Sequence, residues 1–149
     1  DASLTYSHDT DRFGSFRYQL SWSHVLEQED KEFEDEPIRS YRDNLQNFDF
    51  RSRMRGSVSW QYRDLDVTVF GLRYGSLPNW AETGRIAPYH VYNLNVGYRF
   101  TENFRASLIV NNALDKLAPR DDTFNAYPYF WYAYSPIGRE VFVQAEFNW

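Results

Sequence analysis

The chain has no cysteine and a single methionine in 149 residues. The absence of cysteine rules out a disulfide scaffold and thiolate-ligated metal, and it fits an envelope protein. Long aliphatic runs are also missing, and mean hydropathy is -0.69. No stretch approaches the ~18 consecutive apolar residues of a membrane helix. No secretory leader opens the sequence, so we expect a mature chain or part of a longer one. Positive charge is scarce: 16 Lys and Arg against 21 Asp and Glu leave a net charge of -5, which makes nucleic acid a poor partner. There is no nucleophile elbow, glycine-rich phosphate loop or zinc-protease helix.

Aromatic side chains are abundant. Tyr 12, Phe 12 and Trp 5 make up 19% of the chain, and they recur with a period of two. Phe16, Tyr18, Leu20, Trp22 and Leu26 share one face, opposed by Arg17, Gln19, Ser21, Ser23 and Glu27. Tyr92, Leu94, Val96, Tyr98 and Phe100 oppose Asn93, Asn95, Gly97 and Arg99. Phe104, Ala106, Leu108 and Val110 oppose Arg105, Ser107 and Asn111. In the last strand Val141, Val143, Ala145, Phe147 and Trp149 oppose Gln144, Glu146 and Asn148, with Phe142 as the exception. Strands of about 9–11 residues with one apolar and one polar face, and aromatics toward their ends, predict an all-β, antiparallel transmembrane β-barrel segment.

The connections alternate in length. Short polar turns at 11–14, 62–65 and 101–103 separate strand-like runs, whereas charged, Pro- and Gly-containing loops fill about 28–47, 78–88 and 114–136. About seven strands are predicted, near 2–10, 14–27, 48–62, 66–77, 89–101, 104–113 and 138–149. An odd count is unexpected in a single-chain barrel, which implies that further strands precede Asp1. Near 66–77, Val67 and Val69 compete with Phe70, Leu72 and Tyr74 for the outer face.

From Tyr92 to Phe100, through the Thr101–Asn103 turn and on to the Leu108–Lys116 run, the sequence resembles the C-terminal barrel of TonB-dependent outer-membrane receptors. There a strand, a tight turn and a "V-x-N-L-F-D-K"-like segment precede the last long loop. Tyr127, Tyr129 and the Ser135–Arg139 run resemble the approach to the family's last strand, and the terminal aromatics Phe147 and Trp149 resemble its barrel-assembly signal. The resemblance is specific from about Tyr89 onward; before that it rests on strand pattern and loop spacing. It implies that residues 1–149 are the C-terminal third of a barrel of about twenty-two strands, located in the bacterial outer membrane. The lumen plug and the TonB-contacting segment would lie outside this chain. It further implies uptake of a scarce nutrient, such as a ferric siderophore, cobalamin or an oligosaccharide, with no enzymatic activity and no cofactor. The implied partners are outer-membrane lipid and lipopolysaccharide, the plug, TonB and the barrel-assembly machinery.

Individual residues carry narrower expectations. Tyr127, Tyr129, Phe130, Trp131, Tyr132 and Tyr134 form an aromatic run suited either to stacking on a ligand ring or to loop packing. Arg17, Arg99 and Arg105 fall on the polar face, where they would line the lumen or pair with plug carboxylates. Arg139 is placed to pair with a loop carboxylate or a lipid phosphate. The acidic cluster of Glu27, Glu29, Asp30, Glu32, Glu34, Asp35 and Glu36 suggests a solvated loop ahead of a Ca²⁺ site, because it lacks the spacing of a calcium loop. His8, His24 and His90 are isolated on the apolar register, which suits a membrane interface better than metal ligation. Two rivals to the receptor are a small self-contained or multi-chain barrel with a structural or adhesive role, and a barrel lipid hydrolase. Adjacent Ser23 and His24 point to opposite faces, which weakens the hydrolase.

Overall fold

The computed structural model describes residues 1–31, 33–40, 50–124 and 134–149. Every regular element among them is a strand: β1 (Ala2–Thr10), β2 (Gly14–His24), β3 (Glu29–Asp30), β4 (Arg39–Ser40), β5 (Ser52–Tyr62), β6 (Leu65–Tyr74), β7 (Leu77–Pro78), β8 (Arg85–Ile86), β9 (Tyr89–Thr101), β10 (Phe104–Asn111) and β11 (Glu140–Phe147). Seven of them form one sheet in the order β1-β2-β5-β6-β9-β10-β11. All six pairings are antiparallel, as in a meander wound one way around a barrel. β1 and β11 are the two edges, and the sheet is not closed. The remaining strands pair as two short ribbons, β3 with β4 and β7 with β8, within the long connections.

The three short connections lie at one end of the sheet, where local chemistry builds them. Thr10 Oγ1 donates to Gly14 O at 2.8 Å and accepts from Phe13 N at 3.0 Å. Gly14 adopts φ 81, and Arg63 takes φ 54 in the next short turn. Asn103 N donates to Thr101 Oγ1 at 3.3 Å in the third. Trp60 Nε1 donates to Phe13 O at 2.7 Å, which ties the first turn to the neighbouring strand.

The register aligns the alternating faces of successive strands. One apolar row runs Tyr6, Tyr18, Val58, Val69, Leu94, Val110 and Val141; the next runs His8, Phe16, Trp60, Val67, Val96, Leu108 and Val143. These side chains pack only on their own face, and Val143 stays 78% exposed. So large an exposed apolar surface is built for lipid rather than water. Near the short turns, Tyr62, Tyr98, Phe100, Phe104 and Phe147 form an aromatic girdle, with rings of Tyr98 and Phe100 4.9 Å apart. Girdles of this kind place amphipathic rings at headgroup level.

Several boundaries differ from expectation. The second strand ends at His24 rather than near residue 27, β5 begins at Ser52 rather than near 48, β6 ends at Tyr74 rather than near 77, β10 ends at Asn111 rather than near 113, and the last spans Glu140–Phe147. The competing faces near 66–77 are also resolved. Val67 and Val69 belong to the apolar face, while Phe70, Leu72 and Tyr74 project from the polar one. At the long-loop end loop residues fold over the inner side of β6 and cover Tyr74, whereas Phe70 stays 43% exposed on that face. The buried core gathers there: Phe50, Leu77, Ile86, Tyr89, Ala118 and Tyr134, with Tyr74 and Val91 packed against it.

Candidate functional site

The polar face of the sheet is the one suited to water, and its chemistry changes along the strands. Toward the short turns it is charged. Arg105 Nη2 pairs with Asp66 Oδ1 at 2.5 Å across β9, above Gly97. A Cβ at Gly97 would lie 2.6 Å from the Arg105 guanidinium and 2.7 Å from the Asp66 carboxylate, so glycine leaves room for the pair. Arg99 stands directly opposite Arg105 in the register. Like charges so placed repel, and Asp66 offsets part of that repulsion. With Gln61 and Arg63 these groups line a polar recess of about 270 Å³. Arg17 lies on the same face further along the sheet, opposite Ser7 and Ser59.

At the other end the face becomes aromatic. The Tyr134 ring sits edge-on to Tyr89 at 5.3 Å and to Tyr74 at 6.2 Å, and tilted to Phe50 at 5.5 Å. Tyr89 Oη donates to Lys116 O at 2.7 Å, and the Lys116 ammonium lies over the Tyr89 ring. Beside this cluster is a cavity of about 150 Å³ lined in part by Asn93, Asn111, Asn112 and Glu140. The site thus offers rings, amides and one carboxylate, a set suited to a partly aromatic or polyhydroxylated molecule.

The legs of the last long loop are clamped at their base. Asn112, at φ 47, donates through Nδ2 to Lys116 O and accepts from Lys116 N, while its own N–H donates to Asn93 Oδ1. Asp115 Oδ1 accepts from Arg139 N at 2.8 Å, and its Oδ2 lies 3.6 Å from the Arg139 guanidinium. Further out, Asp121 is only 2% exposed. Its Oδ2 accepts from Trp80 N at 2.7 Å, and its Oδ1 accepts from Thr123 N and Oγ1. Ala81 N donates to Thr123 Oγ1, and the Trp80 and Phe124 rings lie 4.8 Å apart. The loop carrying β7 and β8 is therefore fastened to the last loop.

Of the residues expected to act, Arg17, Arg99 and Arg105 share the polar face, and Arg105 is joined there by Asp66. Tyr134 is buried in the aromatic cluster. Tyr127, Tyr129, Phe130, Trp131 and Tyr132 lie outside the described residues, as does Glu32 of the acidic cluster. Phe147 closes β11 within the girdle, and Trp149 follows it fully exposed. Arg139 pairs with Asp115. Among the described residues, no group of three or more His, Asp or Glu is arranged to hold a metal ion. Sequence reasoning missed Asp66 and Asp121. Only for Asp121 was there a local signal, an acidic residue two before a threonine, the pattern of an Asx turn.

Burial holds the Tyr134 phenol above its ordinary value near 10, and the neighbouring Tyr89 adds to the shift. A raised phenol stabilises the fold fully below the unfolded value and loses that contribution as pH rises past it. The mouth cluster is therefore expected to loosen only above about pH 10. Ultraviolet titration should show late tyrosine ionisation that coincides with loop opening and is reduced in Tyr134→Phe. Tyr134 Oη has no hydrogen-bond partner among the described residues. The phenylalanine variant should therefore be at least as stable as the parent at neutral pH.

An antiparallel meander with a lipid-suited face, a polar face and long loops at one end only is the wall of an outer-membrane β-barrel. The family model for the TonB dependent receptor-like β-barrel matches residues 1–113, and the chain belongs to that family. A mutant of the ferric enterobactin receptor PfeA from Pseudomonas aeruginosa has a similar structure, with a TM-score of 0.56 at 14% identity. The match covers 96% of this chain and 21% of that one, so the likeness speaks for the fold and for a span of about a fifth of the receptor. A search of curated protein sequences gives no match.

Proposed function

We propose that this chain supplies wall and outer loops to a TonB-energised importer of a scarce nutrient, of the ferric siderophore, cobalamin or oligosaccharide class. The observation that carries this is the polar face itself: charged toward the short turns, aromatic and amide-lined beneath the loops, within a family of transporters. The loops capture the ligand and the aromatic mouth holds it. A plug in the remainder of the receptor closes the lumen until TonB pulls on it. Arg17, Arg99 and Arg105 are the wall cations that face such a plug, and an acidic plug surface suits them. Phe147 and Trp149 serve as the terminal signal for the barrel-assembly machinery.

The test is uptake by cells expressing the full-length receptor, supplied in turn with labelled ferric siderophores, cobalamin and oligosaccharides. Accumulation of one class that stops when TonB is deleted or the proton gradient collapses is expected. Passage that continues without TonB, or a native polypeptide limited to these 17.8 kDa, would refute the proposal.

A further inference from the structure

Arg73 breaks the pattern of the lipid-facing surface. The register places it on the apolar face, in a row with Trp22, Met54 and His90. Its Nη1 donates to Ser52 Oγ at 3.0 Å, which confirms the side on which it projects. No carboxylate pairs with it among the described residues. The row lies at the long-loop end. From Phe100 in the opposite girdle to His90 is ten residue steps along β9. At about 3.3 Å per residue and the usual strand tilt this spans about 25 Å of membrane, the height of the apolar band. Arg73 thus stands at the outer boundary, where a cation meets headgroups rather than hydrocarbon.

One row deeper, the same surface has a gap. Leu20, Gly56, Gly71 and Tyr92 are register partners across four strands. The paired glycines leave an open groove of about 430 Å³, bordered by Leu20, Val58, Val69 and Tyr92. Tyr92 leans over Gly71, whose Cβ would lie 3.3 Å from the ring. The groove is continuous with the lipid-facing rows and lies one register row below Arg73, the one arginine that the described strands place on that face.

We propose that Arg73, with His90 beside it, and the Gly56–Gly71 groove together bind one phosphorylated lipid of the outer leaflet. The guanidinium, steadied by Ser52, holds the phosphate with its remaining N–H donors, since its planar fork matches phosphate oxygens two at a time. An acyl chain lies in the groove below. Trp22 flanks the headgroup, as aromatics at this depth do. The pairing of charge with charge and of an apolar groove with an acyl chain selects a lipid over a soluble anion.

The test uses the purified full-length receptor and a diphosphorylated lipid A with a photoreactive acyl chain, the cross-linked peptides being mapped by mass spectrometry. Labels are expected on Leu20, Val58, Val69 or Tyr92. Loss of one charge-assisted contact predicts a drop of about tenfold or more in Arg73→Ala and Arg73→Glu, with Arg73→Lys intermediate. Gly56→Leu should fill the groove and abolish labelling there while the barrel keeps its heat-resistant gel mobility. Excess inorganic phosphate should not compete. The proposal is overturned if Arg73→Ala labels as strongly as the parent, if the dephosphorylated lipid labels equally well, or if inorganic phosphate displaces the probe.

Discussion

Gly14→Ala in the full-length receptor is expected to prevent normal folding of the first described hairpin and to cut the yield of correctly folded barrel severalfold. Two independent constraints meet at this residue. Its backbone adopts φ 81, and a Cβ would stand 2.1 Å from Gln61 O and 3.1 Å from Tyr62 Cα. The left-handed backbone alone costs an ordinary residue about 1–3 kcal/mol. The carbonyl oxygen cannot rotate aside, so β2 and β5 must separate where Ser15 pairs with Gln61. Displacing the turn also threatens the Trp60 hydrogen bond to Phe13 O. Heat-modifiable gel mobility of receptor extracted from outer membranes measures the outcome. Gly14→Asn separates the two causes: asparagine tolerates positive φ better than most residues but carries the same Cβ, so it should fail almost as badly. Normal accumulation of either variant would mean that the turn has another accessible conformation.

Asp121→Ala is expected to release the loop carrying β7 and β8 from the last loop without disturbing the sheet. The carboxylate is buried and accepts three hydrogen bonds, including one from Trp80 N in the other loop. A hydrogen bond to a charged group contributes about 1.5–3 kcal/mol, and its loss leaves a buried N–H unsatisfied. A local loss of about 3 kcal/mol lowers amide-exchange protection roughly a hundredfold. Hydrogen exchange should show this in peptides spanning 78–88 and 118–124, while β6 and β9 exchange as in the parent. Asp121→Asn retains an acceptor and should fall between the two. If protection in 78–88 is unchanged, the Trp80 and Phe124 rings rather than the carboxylate hold the loops together.

How much of this was legible in the sequence differs from strand to strand. β11 could be read without ambiguity, since Val141, Val143, Ala145 and Phe147 alternate with Glu140, Gln144 and Glu146 and only Phe142 breaks the rule. β6 could not, because its inner face is polar at Asp66 and Thr68 but apolar from Phe70 to Tyr74. A residue that packs under a distant loop looks the same in sequence as one that faces lipid. The candidate site was legible only in part. The polar register of Arg17, Arg99 and Arg105 follows from alternation, but nothing local pairs Asp66 with Arg105 or brings Tyr134 to Phe50.

The sequence by itself determined the seven long strands, the two faces of all of them but β6, the short turns at one end and the family. Alternation, turn chemistry and strand length are properties of a few neighbouring residues, fixed by the two-residue repeat of extended backbone. Tertiary structure alone decided what those faces meet. Register set the Asp66–Arg105 pair, aligned Gly56 with Gly71 beneath Arg73, and brought Phe50, Tyr89, Ala118 and Tyr134 into one core. Those contacts join residues tens of positions apart, and their partners are fixed only once the strands have paired and the loops have folded over the mouth.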